Sequence, residues 1–227
     1  RVDLIGVLAF ERGLSVRDPQ EGVDKRCGVL DFGRPSADAP VWILSQWASR
    51  YNLIDAPLQK GKRGERFYDN EGKRFSVFKD GHFRMEIRTK PEYGDRVRKF
   101  HESWPHLYIE QPLENGIPLS KYKQLRYRLS AKLVYCKNYM GDAFDPGLHT
   151  CHVVSHMAVQ NRNPQSKDYL KQLLFSIPVY DYRHSFPPGE NFVDSGTKEV
   201  VTNLFVYGPS GDEIWNGSIS SGKWQHA

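Results

Sequence analysis

The sequence predicts an all-β fold, built as a two-sheet antiparallel sandwich with few and short helices. Three observations lead there. Short apolar or aromatic segments recur along the chain, at Val2–Phe10, Ala39–Trp47, Phe75–Phe78, Phe83–Thr89, His106–Gln111, Leu125–Tyr135, Cys151–Asn161, Lys171–Tyr180 and Glu199–Tyr207. Several of them alternate strictly between apolar and polar residues, the signature of a strand with one face on a core and one in water. No long amphipathic helix separates the strands, which argues against a parallel α/β architecture. The helical candidates are short, at Ser45–Tyr51 and Arg96–Glu102.

The alternation is most regular in two segments. In Phe83–Thr89, Phe83, Met85 and Ile87 share one face and Arg84, Glu86 and Arg88 the other. In Leu125–Tyr135, Leu125, Tyr127, Leu129, Ala131 and Leu133 oppose Arg126, Arg128, Ser130 and Lys132. Turn formers punctuate the chain at 69–72, 79–81, 114–116, 145–147 and 209–212, and Asp80-Gly81 between two short alternating runs is the strongest hairpin signal. The Pro- and Gly-rich stretch Phe186–Gly196 reads as a long loop. With 227 residues and neither an internal repeat nor a low-complexity linker, the expectation is one domain over 1–227.

Composition narrows the function classes. Aromatics make up 13% and charged residues 26% of the chain, a globular rather than a disordered profile. The net charge of +5 is mild, and both signs are interspersed. Lys60–Arg74 holds six basic and three acidic residues, and Lys121–Lys132 holds five basic and none acidic. These stretches fall short of the concentrated basic stripe of a nucleic-acid binder, so no nucleic-acid partner is expected; they suit an anionic ligand such as a uronic-acid or sulfated polymer. No apolar run reaches the length of a membrane-spanning helix, and no membrane partner is expected. Cys27, Cys136 and Cys151 lack metal-ligand spacing, and their odd number leaves at least one free thiol, with the later pair the candidate disulfide. A start at Arg1 without an initiator Met fits removal of a signal peptide or of a tag, which favours a secreted or periplasmic location. The end at Gly222–Ala227, without an evident final strand, leads us to expect further C-terminal chain.

Candidate chemistry lies in three places. On a strand through Cys151–Asn161, His152 and His156 would stand roughly 13 Å apart, too far to share a metal ion. His156 is instead a candidate general base lining a groove. Glu86, and Glu110 beside Tyr108, bring carboxylates to polar strand faces, as a glycosidase would need. Tyr108 or His156 with Arg84 and Arg88 would serve a lyase, in which a base removes a proton beside a uronate carboxylate and cations neutralise the charge that develops. The third place is Tyr180, Asp181, Arg183 and His184, which combine an aromatic face, a carboxylate and two cations at the end of a strand, a mixture suited to ligand contact. The chain has no Gly-rich phosphate loop, G-x-S-x-G elbow or H-E-x-x-H pair. No metal site is expected, and a Ca²⁺ ion is the one cofactor a sandwich of this kind would accommodate.

The strand spacing, with polar faces in R-M-E-I-R at 84–88, Y-I-E-Q at 108–111 and H-M-A-V-Q-N at 156–161, resembles the jelly-roll sandwiches of carbohydrate-active and carbohydrate-binding proteins. The R-x-E-x-R run is similar to the Arg- and Glu-bearing strand of some jelly-roll polysaccharide lyases, though without their companion Q-x-H motif. This resemblance implies a jelly-roll-like fold and a carbohydrate partner. The leading expectation is a lectin-like or binding-module domain, with Arg84, Arg88, Tyr180, Asp181, Arg183 and His184 contacting ligand. A polysaccharide lyase or glycoside hydrolase using Glu86, Glu110, Tyr108 and His156 is the alternative. A structural or protein-interaction sandwich is the third.

Overall fold

A computed structural model describes residues 5, 10–20, 23–33, 36–113, 118–194 and 204–227. The fold is all-β, with two four-residue α-helices among the described residues. The chain divides into two compact units, Arg1–Lys121 and Tyr122–Ala227.

The first unit carries β1 (Leu14–Arg17), β2 (Arg26–Leu30), β3 (Trp42–Ser45), β4 (Gln59–Lys60), β5 (Arg66–Asp69), β6 (Lys73–Val77), β7 (Phe83–Ile87), α1 (Lys90–Tyr93) and β8 (Tyr108–Glu110). They form two four-stranded sheets, ordered β2-β1-β3-β8 and β4-β5-β6-β7. The core draws on both: Leu14, Val16, Leu30 and Leu44 from one sheet meet Tyr68, Phe75 and Val77 from the other, with Phe10, Phe32 and Leu53 from the connections. Phe75 is the centre of an aromatic cluster, stacked on Phe83 at 5.8 Å and edge-on to Phe10 at 5.6 Å. The hairpin expected at Asp80-Gly81 joins β6 to β7, and Gly81 takes the positive φ of 89° that such a turn needs.

The second unit carries β9 (Ser130–Ala131), β10 (His152–Gln160), β11 (Gln172–Asp181), β12 (Glu190–Asp194), β13 (Leu204–Gly208), α2 (Gly211–Ile214) and β14 (Gln225–His226). Its main sheet is ordered β10-β11-β13-β12, and β14 pairs with β9. Ile177, Val179, Tyr180, Trp215 and Ile219 form its core, with Tyr127, Leu129, Ala131 and Leu133 packed against them. The Trp215 indole donates to the Pro178 carbonyl at 2.7 Å, satisfying its one polar group inside the core. β1–β3 and β11–β13 pair in parallel; the other strand pairs are antiparallel.

Several segments differ from the sequence expectation. β1, β2, β4 and β5 fall outside the expected segments, and β12 forms inside the stretch read as the loop Phe186–Gly196. Leu125–Tyr135 does turn Tyr127, Leu129, Ala131 and Leu133 inward, but only Ser130–Ala131 joins a ladder, so burial alternates without continuous strand pairing. Ser45–Tyr51 and Arg96–Glu102 are not helical. The C-terminal residues do form a strand, β14. The expected segment Val2–Phe10 lies outside the described residues except at Ile5 and Phe10, as do 199–203 of the expected last strand and the turn at 114–116.

Phe75 is fully buried. Phe75→Ala is expected to destabilise the first unit by about 3–5 kcal/mol through lost burial and a residual cavity, measured as a lower urea midpoint for the first unit's unfolding transition.

Candidate functional site

The site that combines a cavity with reactive side chains lies in the first unit, and it starts from a lysine on the wrong face of a strand. β6 alternates so that Lys73, Phe75 and Val77 share the inward face. Lys73 is therefore carried inside, 0% exposed. A buried ammonium is very unfavourable unless it is hydrogen-bonded and paired, and three groups answer it. Its Nζ donates to the Ser49 hydroxyl and, at 3.0 Å, to the Tyr51 carbonyl, and lies 3.9 Å from Glu92 Oε1.

Each partner is fixed by its own surroundings. The loop after β3 is closed by Gln46, whose side chain donates to Asn52 Oδ1 at 2.7 Å and accepts from the Leu53 amide at 3.0 Å. Within this loop Ala48 holds a φ of 55°, a conformation that is uncommon for a residue with a Cβ and that turns the chain sharply before Ser49. Gly72 lies against the Tyr51 ring, where an added Cβ would stand 2.8 Å from the ring carbon, so only glycine allows this approach. Glu92, on α1, is 4% exposed; its Oε2 accepts the Arg50 amide at 2.8 Å and its Oε1 accepts the Ser49 hydroxyl.

Ser49 and Glu92 from this cluster line a cleft of about 390 Å³ together with Ala48, Arg50, Tyr93, Arg96, Glu102 and Ser103. The far wall is tied by the Tyr93 hydroxyl donating to the Ser103 carbonyl at 2.6 Å and by a two-pronged Arg96–Glu102 pair at 2.7 and 2.5 Å. The Arg96 hydrogen bonds, helped by the Lys99 amide, hold the Glu102 carboxyl down to about 2. Burial pushes the Lys73 ammonium from the ordinary 10.5 to about 8, against the opposing pull of Glu92. A hydroxyl beside a lysine that loses its proton at mildly alkaline pH is an arrangement in which a serine can be activated as a nucleophile.

The residues expected from the sequence fall elsewhere, on three different sheets. Arg84, Glu86 and Arg88 line the outer face of β7 in an ion-pair ladder. There Arg84 binds Glu65 at 3.0 Å, Arg88 binds Glu86 at 2.8 Å and Asp69, and Arg74 joins Glu65 at 2.9 Å. Glu110 is bonded to Arg17. Tyr108 stacks on Trp47 with ring centroids 6.0 Å apart, and burial, with Glu110 adding to it, raises its phenol pKa.

The other expected residues lie in the second unit. His156 on β10 faces Ser176 on β11; burial lowers its pKa, and its Nδ1 and the Ser176 hydroxyl are both buried without a hydrogen-bond partner. Tyr180 is a core residue. Asp181 is clamped by Arg183 through bonds of 2.7 and 3.0 Å, with His152 Nε2 at 3.1 Å. Burial alone would raise the Asp181 carboxyl, but the Arg183 hydrogen bonds and the Arg183 and His152 charges hold it well below the carboxylate range. His184 closes this turn by donating its amide to the Asp181 carbonyl at 3.1 Å.

The thiols form a second reactive cluster. All three cysteines are free. The Cys151 thiol and the Tyr180 hydroxyl hydrogen-bond to Cys136, and the Cys151 bond is the main cause that brings Cys136 down to about 6. Cys151 and Tyr180 are pushed up in return, and burial pushes up Cys27.

Sequence reasoning missed Ser49, Lys73, Glu92, Tyr93 and Arg96. One signal was present: stepping back by two from Phe75 and Val77 places Lys73 on the apolar face of its strand.

Two outcomes follow from these protonation states. Lys73 keeps its proton less readily folded than unfolded, so the unfolded chain binds more protons between pH 8 and 10.5 and stability rises with pH across that window. The melting temperature of the wild type should therefore gain on that of Lys73→Met as pH rises from 8 to 10; a constant difference would show that Lys73 titrates normally. At pH 7, Cys136 should react with iodoacetamide faster than Cys27, and Cys151→Ala should slow it, as read by peptide mass spectrometry.

No protein-family model matches this chain, and neither a curated protein nor a solved structure matches it. The chemistry of the cleft is what bears on function.

Proposed function

We propose that the first unit binds an acidic carbohydrate in the cleft lined by Ser49, Arg50 and Arg96. The observation that carries this reading is the make-up of the lining: the guanidinium-bearing Arg50 and Arg96, the ring of Tyr93, the Glu102 carboxylate and the hydroxyls of Ser49 and Ser103 surround one space of about 390 Å³. That volume lies within the roughly 300–1,000 Å³ of small-molecule sites. Guanidinium groups match carboxylate and sulfate oxygens in a two-pronged fashion, an aromatic ring offers a face to a sugar's C–H groups, and carboxylates and hydroxyls orient its hydroxyls. The net charge of +5 also favours an anionic partner. Arg96 is pre-ordered by Glu102, and the backbone of Arg50 is fixed by Glu92, so the site loses little freedom on binding.

This reading keeps the ligand class expected from the sequence and moves its site. Arg84, Arg88, Asp181 and Arg183 spend their charges on internal pairs away from this cleft, whereas Arg50 and the Arg96–Glu102 pair line an open concave surface.

Titration calorimetry with oligogalacturonate and a sulfated heparin-type oligosaccharide, against neutral dextran, tests the proposal. Binding of at least one acidic oligomer, weakened by salt and lost in the Arg50→Ala, Arg96→Ala double variant, is expected. Equal affinity of the double variant, or no binding to either acidic oligomer, would overturn it.

A further inference from the structure

We propose that Ser49 is an acyl-transfer nucleophile in this cleft and that Lys73 is the base that takes its proton, so that the chain hydrolyses esters carried by the cleft's ligand. The ester's identity as an acylated acidic sugar rests on the binding proposal above; the nucleophile rests on the geometry alone. Four features meet at one residue. Ser49 lines an open cleft. Its hydroxyl is in direct contact with the Nζ of a fully buried lysine. Its hydroxyl also donates to the carboxylate of Glu92, itself buried and bonded to the next backbone amide. The residue before it, Ala48, is held at a φ of 55°, and backbone strain of this kind concentrates where a side chain must be presented to a ligand.

A buried lysine needs partners, and a purely structural network would satisfy Lys73 with the carboxylate and the carbonyl. The distinguishing feature here is that Ser49, the hydroxyl-bearing member of the network, also lines the cleft. A nucleophile in contact with a base, and a base oriented by a third group, is the pattern that activates a hydroxyl.

The reaction balances without a cofactor. Ser49 Oγ forms a bond to the ester carbonyl carbon while its proton passes to the neutral Lys73 amine. The tetrahedral intermediate collapses, the bond to the alcohol oxygen breaks, and the alcohol leaves with the proton from Lys73. Water then attacks the acyl-Ser49 carbonyl, gives a proton to Lys73, and the acid departs as Ser49 recovers its proton. The products are one acid and one alcohol from one ester and one water. Arg50, next in sequence and lining the same cleft, supplies positive charge for the oxyanion. Glu92 is a positioning residue.

The groups facing Lys73 are the Ser49 hydroxyl and Tyr51 carbonyl from the loop and the Glu92 carboxylate from α1. Arg74, the next residue on its own strand, pairs with Glu65 and Asp69. With its pKa brought to about 8 by burial, a sizeable share of Lys73 is neutral at mildly alkaline pH.

Two measurements on the full chain test this. An alkyl fluorophosphonate is mapped by mass spectrometry, and acetate release from acetylated oligogalacturonate is followed over pH 6–10. Expected are phosphonylation at Ser49, acetate release that climbs with pH through about 8, and loss of both in a Ser49→Ala variant whose circular dichroism shows it folded at the assay temperature. Absence of label at Ser49, or wild-type acetate release by Ser49→Ala, overturns the nucleophile. Labelling at Ser49 without any binding of acidic oligomers keeps the nucleophile and overturns the carbohydrate reading. Binding without labelling or turnover does the reverse.

Discussion

The burial of one positive charge organises the first unit. Lys73 sits where strand alternation demands an apolar side chain, and the unit's local structure around it is the answer to that demand. The Trp47–Asn52 connection bends back to deliver the Ser49 hydroxyl and the Tyr51 carbonyl, and α1 delivers Glu92. Were Glu92 removed, the buried ammonium would lose its counter-charge, at a cost of about 3–5 kcal/mol. The loop is therefore rigid for an electrostatic reason, and the same rigidity holds Ser49 and Arg50 at the edge of the cleft.

The contrast with the remaining charges is instructive. Arg84, Glu86, Arg88, Arg74, Glu65 and Asp69 neutralise one another on the outer face of β5–β7, partly in water, where single pairs contribute little. Such a ladder sets strand register and solubility and leaves no charge waiting for a ligand. Asp181, Arg183 and His152 do the same for a turn in the second unit. A ligand site needs charge that is held in place at an open surface, and the cleft lined by Arg50, Arg96 and Glu102 is where the described residues combine both.

The two units also differ in how their cores are made. In the first, two sheets face each other across an aromatic cluster centred on Phe75. In the second, a sheet packs against an extended segment, Tyr127–Leu133, and against Trp215 beyond α2. The extended segment buries alternate residues as a strand does, yet pairs with the C-terminal residues only through Leu129–Ala131. Alternation reports which side chains are inward, and it is silent on whether the backbone groups find a ladder partner.

The sequence by itself determined the all-β class, because period-two alternation in Phe83–Thr89 and Cys151–Asn161 and the Asp80-Gly81 turn are local properties of the chain. It located β6, β7, β8, β10 and β11 within a few residues, and it kept His152 and His156 from being read as one metal site. What it could not determine is which polar residues face each other. Glu110 looked like a catalytic carboxylate until the tertiary structure put Arg17 against it, and Tyr180 looked like a ligand platform until it took its place in a core. Ser49, Lys73 and Glu92 come from a loop, a strand and a helix as many as 43 positions apart, and nothing local marks such a meeting. Only the folded chain, by burying a charge and then surrounding it, decided where the reactive hydroxyl would be.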